Sequence, residues 1–143
     1  MKKELRLPGL EYLYYREEVY AIILRENFAS KSICFFTPDN YSQQLGYLPH
    51  KKNTSIKAHF HKPNKRVVLF TQETLFVKKG RVKVNFYGQD RKHLGSEIIS
   101  GGDTILLCAG AHGFEMLEES IMIEVKQGPY NSAIDKETFR GIE

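Results

Sequence analysis

His59 and His61 stand two residues apart in a run, residues 55–61, that alternates as strands do. A period of two puts both imidazoles on one face, with Ile56, Ala58 and Phe60 on the other. Two imidazoles on one strand face are close enough to share an ion. Glu73 lies in the next alternating stretch, in one row with Val67, Leu69, Leu75 and Val77. A carboxylate in an apolar row is costly when unpartnered, and a metal ion removes that cost by favouring the charged form. His112 follows the loop Ala109-Gly110-Ala111 and can join the two histidines only through the tertiary fold. Lys57 shares the face of His59 and His61, either as a cation for a substrate phosphate or carboxylate or as a rim lysine in solvent. Phe114 shares parity with His112, as a pocket wall or a core residue. Glu124 and Lys126 share a face opposite Ile121, Ile123 and Val125, as part of a pocket or as a plain ion pair. No residue stands out as a separate general base.

The elements that must position these groups read as strands. Helical periodicity is weak and alternation dominates. Residues 19–24, 32–36, 41–48, 55–61, 66–77, 81–87, 97–99, 104–108 and 120–127 form the main candidate strands. Thr37-Pro38-Asp39-Asn40, Lys62-Pro63-Asn64, Gly88-Gln89-Asp90 and Ser100-Gly101-Gly102-Asp103 supply turn residues between them. Glu73 then belongs to the return strand of a hairpin with residues 55–61. A short helical turn is expected after Asp135, whose side chain can cap it. Many short strands with turns every 8–12 residues predict an all-β sandwich or barrel.

The chain has 143 residues, in the range of one domain, with 41% hydrophobic and 27% charged residues, as a globular core needs. Net charge is +4, but it is unevenly spread. Residues 51–92 carry twelve Lys/Arg against two acids, and residues 93–143 carry three against nine. The basic middle either attracts an anion or coats solvated strand faces, and alternation favours the second. Cys34 and Cys108 sit in apolar runs and read as buried thiols. No apolar run approaches the ~18 residues that span a bilayer, and the charged start lacks a signal-peptide pattern. These features predict a cytoplasmic protein with no membrane partner. Nucleophile elbow, Walker loop, GxGxxG, helix-turn-helix and zinc-ribbon patterns are all missing, so no nucleic-acid partner is expected.

Two spaced patterns resemble a known family. One is His59-Phe60-His61, then Glu73, six residues, and Gly80; the other is Gly102, five residues, Cys108-Ala109, Gly110 and His112. Together they resemble the two motifs of cupins over residues 41–127. Eleven residues separate His61 from Glu73, more than is usual in cupins, and Cys108 replaces a proline of the second motif. The resemblance implies one domain over residues 1–143: a conical jelly-roll β-barrel at 41–127, extra N-terminal strands within 12–36, and a tail at 128–143. It implies one divalent ion, Zn, Fe, Mn or Ni, held by His59, His61, Glu73 and His112. Phe35-Phe36-Thr37-Pro38, Thr71-Gln72-Glu73 and residues 124–130 are similar to a bacterial subgroup that accompanies surface-polysaccharide and sugar-nucleotide biosynthesis.

Three functions follow as expectations. The first is a metal-dependent enzyme, an isomerase, epimerase or oxygenase, acting on a small polar or sugar-type substrate. The second is a non-catalytic module that binds a sugar or anion. The third is a homodimeric interaction protein that pairs through its apolar N-terminal strands.

Overall fold

The structure is a computed structural model that describes residues 1–131 and 133–142. Its described elements are all strands: β1 (Lys2–Leu7), β2 (Leu10–Tyr15), β3 (Glu18–Leu24), β4 (Cys34–Phe35), β5 (Gly46–Tyr47), β6 (Glu73–Lys79), β7 (Arg81–Tyr87), β8 (His93–Ser100), β9 (Thr104–Leu107), β10 (Ala111–Met116) and β11 (Ile121–Lys126). Every pairing between them is antiparallel. The large sheet runs β1-β2-β3-β9-β6-β11, and a smaller sheet runs β10-β7-β8.

The two sheets face each other across one apolar layer. Leu13, Ala21, Ile23, Leu75, Val77, Ile105 and Leu107 come from the large sheet; Val82, Val84, Phe86 and Ile99 come from the small one. The β6–β7 hairpin, the β8–β9 turn and the short β10–β11 connection link the sheets, so β6, β9 and β11 stack over β7, β8 and β10 in turn. A second apolar layer covers the outer face of β2, β3 and β9, where Tyr12, Ile22, Leu106 and Cys108 meet Phe28 and Phe36. Burial on both faces explains why residues 19–24 and 104–108 read as continuous apolar runs rather than clean alternation.

Two glycines hold the turns that shape the site. Gly80, at φ +91°, closes the β6–β7 hairpin, and a Cβ there would lie 2.3 Å from Ser120 Oγ and 2.5 Å from Glu119 O. Gly110, at φ +70°, lies against Tyr20, whose ring would meet a Cβ at 2.1 Å. Both positions need positive φ and close approach, which only glycine supplies without strain.

On the β8 side a polar clasp joins the sheets. Arg25 donates to Glu11 Oε2 at 2.7 Å, to Asp103 Oδ2 at 3.0 Å and to the carbonyl of Ile98 at 2.7 Å. Lys3 bridges Glu11 and Glu97 at 3.0 and 2.9 Å. On the opposite side, β10 and β11 end their sheets, with no further strand beside them among the described residues.

Several strand expectations need correction. Residues 55–61 form no strand, and the long strand expected over 66–77 begins only at Glu73. The hairpin between them is therefore not formed; β6 pairs with β9 and β11 instead. The strands expected over 32–36 and 41–48 shrink to the short pair β4 and β5. β1 was not anticipated, because Lys2–Leu7 carries four charges and no buried side chain. Residues 133–135 make a turn without a helix, and the adjoining Ser132 lies outside the described residues. No helix of the described residues is long and apolar enough to cross a membrane.

Candidate functional site

Strand register aims the chemistry of three strands into the space between the sheets. Glu73 is paired with Leu107, and directly paired residues share a face. Glu73 therefore shares the inward face of Leu75 and Val77, as its sequence parity predicts. His112 is paired with Phe86, and Phe114 with Val84, so both aromatic side chains also turn inward. On β11 the inward set is Met122, Glu124 and Lys126, with Lys126 opposite Glu73.

These side chains form one graded polar cluster. His112 Nε2 donates to Glu73 Oε2 at 2.9 Å, joining the two sheets across the mouth of the sandwich. Lys126 Nζ lies 3.6 Å from Glu73 Oε1 and 2.7 Å from Glu124 Oε1. Side-chain exposure rises from 18% at Glu73 and 24% at His112 to 30% at Lys126 and 39% at Glu124. The dyad is thus sheltered, and the Lys126–Glu124 pair forms its rim. Phe114 packs beside His112 with ring centroids 5.3 Å apart, and Lys126 sits 5.2 Å over the ring of Tyr130.

The hydrogen bond from His112 holds the Glu73 carboxyl below its ordinary range, against the opposing effect of burial and with help from Lys126. The Lys126 ammonium is pushed up, chiefly by its hydrogen bond to Glu124. Glu73 is therefore a carboxylate at neutral pH, and it fixes the His112 ring through Nε2, leaving Nδ1 for other partners.

Five of the eight residues singled out from the sequence meet here: Glu73, His112, Phe114, Glu124 and Lys126. The other three, Lys57, His59 and His61, lie in residues 50–71, all of which are exposed. His59 and His61 remain together, with ring centroids 5.2 Å apart, but not on the Glu73–His112 pair. Among the described residues, no three His, Cys, Asp or Glu side chains converge closely enough to hold a metal ion. The separation follows from the unformed strand at 55–61, since only a paired strand would carry its histidines to the mouth.

Sequence reading missed Gln72, which clamps the start of β6 and is 7% exposed. Its backbone N–H donates to Gln127 Oε1 at 2.8 Å, and its side-chain Oε1 accepts from the Ser42 hydroxyl and the Gln43 backbone N–H at 3.0 and 3.1 Å. Glutamine at a strand end carries no local signal for such a role. A separate concavity of about 620 Å³ is lined by Tyr15, Arg16, Glu17, Glu18, Tyr20 and the 88–90 turn. It does not include the dyad, but it lies at the same end of the sandwich. Register runs from Glu73 through Leu107 to Ala21, next to Tyr20.

The thiols take no part in the dyad. Cys108 belongs to the outer apolar layer, and burial pushes its thiol up to about 12. A buried thiol held in its neutral form is a poor nucleophile. Cys34 is only partly buried. A maleimide at pH 8 should therefore modify one thiol per native chain, at Cys34, and the second only in denaturant; peptide mass mapping checks which.

No protein-family model, curated protein or solved structure matches the chain. The fold and site define it as a two-sheet antiparallel β-protein with an inward carboxylate–imidazole pair at one end.

Proposed function

We propose that the chain is a cupin-type jelly-roll protein that binds a divalent metal and acts on a small polar, anionic or sugar-type substrate at the Glu73–His112 mouth. The observation that carries this reading is the 2.9 Å separation of Glu73 Oε2 and His112 Nε2 on facing sheets. Two donors that each bind one ion at about 2.1 Å and at right angles lie about 3 Å apart. The pair fits adjacent coordination positions, and its shared proton stands where an ion would bind. A bound divalent ion would supply a Lewis acid for a substrate oxygen.

The remaining residues do the recognition. Lys126 presents a positive charge beside Glu73 and suits a phosphate or carboxylate, for which it would exchange its contact with Glu124. Phe114 shields the inner side of the His112 ring from water. Tyr130, under Lys126, offers an aromatic face at the rim. A second reading, a non-catalytic sugar or anion module, is favoured by Lys126 alone, whose charge would hold a ligand without any ion.

Elemental analysis after incubation with Zn, Fe(II), Mn or Ni, followed by titration, tests the proposal. Wild-type protein is expected to retain one ion per chain. Glu73→Gln and His112→Ala should each weaken uptake by about 100-fold or more, since even outer-shell losses cost 10–100-fold. Unchanged binding in both variants would remove the metal from the site. Sugar-nucleotide stabilisation in thermal shift that persists after chelation would favour the simple binding module.

A further inference from the structure

The β2–β3 and β7–β8 turns come from different sheets, and together they line one concavity of about 620 Å³. That volume suits a small molecule, since ligand sites run from about 300 to about 1,000 Å³. Tyr20 stands in its wall because β3 is bulged there. Tyr14 pairs with Val19 and Leu13 with Ala21, which leaves Tyr20 as the extra residue. Tyr20 and Ala21 therefore both belong to the layer between the sheets, while Val19 packs on the outer layer. Plain alternation from Ala21 and Ile23 would have turned Tyr20 outward.

The Tyr20 ring is held from two sides. Gly110 lies against it, and the Tyr15 ring meets it edge-on with centroids 5.7 Å apart. Tyr20 is 3% exposed, yet among the described residues no hydrogen bond engages its hydroxyl. That oxygen is not sealed in the core, since no fully buried side-chain nitrogen or oxygen among the described residues lacks a partner. The little surface that Tyr20 keeps thus includes its hydroxyl, in the wall of the concavity. The charges that act on it, Glu18, Arg16 and Asp90, line the same space. Burial holds the phenol above its ordinary range, so the hydroxyl is neutral and free both to donate and to accept. A nearly buried polar group with no partner calls for one from outside the chain.

Charge narrows the partner. The lining carries Glu17, Glu18 and Asp90 against Arg16 alone, in a chain of net charge +4. Asp90 has Lys92 Nζ at 3.4 Å, and the Arg16 guanidinium lies over the Tyr15 ring at 5.4 Å from its centroid. Glu17 and Glu18 have no ion-pair partner among the described residues. An excess of carboxylates repels an anion and draws a cation. The three acids do not converge closely enough to hold a metal ion. A polyatomic cation makes no such demand, because its N–H donors stand apart from one another and reach acceptors at about 2.7–3.2 Å. We propose that this concavity binds a small alkylammonium ion, its N–H groups donating to the Tyr20 hydroxyl and its charge facing Glu17 and Glu18. The site shares no residue with the Glu73–His112 cluster and needs no metal there.

The test is calorimetric titration of the full-length protein with diaminobutane, and with butanediol as its uncharged analogue. Saturable binding of the diamine and none of the diol is expected. No saturable heat from the diamine at millimolar concentration, or equal binding of the diol, would overturn the proposal. In ¹⁵N spectra the diamine should shift amides of residues 15–20 and 88–90; shifts centred on Glu73 and His112 instead would place the ligand elsewhere and sink the site. Tyr20→Phe keeps the ring and should weaken binding by about tenfold or more, the effect of one hydrogen bond to a charged group. Its urea midpoint should be unchanged or raised, since no bond within the protein is lost. Unchanged affinity in that variant is inconsistent with the assignment. Glu18→Gln should weaken binding by about threefold and Arg16→Gln should strengthen it by a similar factor, the scale of exposed charge pairs. A ligand recognised as an anion would reverse both signs, so weaker diamine binding in Arg16→Gln also counts against a cation site.

Discussion

Phe86→Ala is expected to lower the free energy of unfolding by about 3–5 kcal/mol, the range for emptying a buried aromatic site. Phe86 is 1% exposed and belongs to the layer between the sheets, where Leu13 and Leu94 also pack. Its neighbours come from both sheets, so they cannot close over a void without moving one sheet toward the other. The effect should reach the site, because Phe86 is paired with His112 on the adjoining strand. Urea titration checks it: the midpoint should fall while the slope with denaturant is unchanged. Phe76→Ala is the matched control. Phe76 lies on the outer face of β6 at 40% exposure, and its loss should cost well under half as much. Equal losses at the two positions would mean that the inter-sheet layer is not the main core.

Arg25→Met should produce the second large effect, about 3 kcal/mol. That is the low end for breaking a buried ion pair, because the Arg25 side chain is 20% exposed. The guanidinium neutralises Glu11 and Asp103 at the junction of the two sheets, and methionine keeps the aliphatic stem but leaves the acids facing one another. The pH dependence gives the sharper test. Burial raises the Glu11 carboxyl, but hydrogen bonds and charge from Arg25 and Lys3 outweigh it and hold the group below its ordinary range. A carboxylate lowered on folding contributes stability above its unfolded pKa, and that contribution is lost as pH falls through the folded value. Wild-type protein should therefore lose this stability on acidification. In Arg25→Met, burial acts on Glu11 with only the 42% exposed Lys3 in opposition, so the slope near pH 4–5 should flatten or reverse. Denaturation curves at a series of pH values compare the two. Parallel pH profiles would show that Arg25 is not the group that holds Glu11 ionised.

Much of the architecture was written locally in the chain. Alternation at Arg81–Tyr87 set β7 and its inward valines, because a period of two is enough to mark a half-buried strand. The parity of Glu73 with Leu75 and Val77, of His112 with Phe114, and of Glu124 with Lys126 was legible for the same reason, and each pair shares a face in the structure. Gly80 and Gly110 stand out as turn residues in sequence, although the contacts that demand them, Ser120 and Tyr20, lie far along the chain.

What only the tertiary structure decided is which faces meet. Parity says that Glu73 and His112 each point to one side of a strand; it does not say that the two sides are the same space. That depended on β6 and β10 belonging to sheets that face each other, which the burial of apolar area selects over the whole chain. The run at 55–61 shows the converse. Its alternation is as good as that of β7, yet it forms no strand, because a strand needs a neighbour's backbone to satisfy its own N–H and C=O groups. Residue order dictated that His59 and His61 would travel together; a partner strand, which no stretch of sequence contains by itself, determines where they arrive.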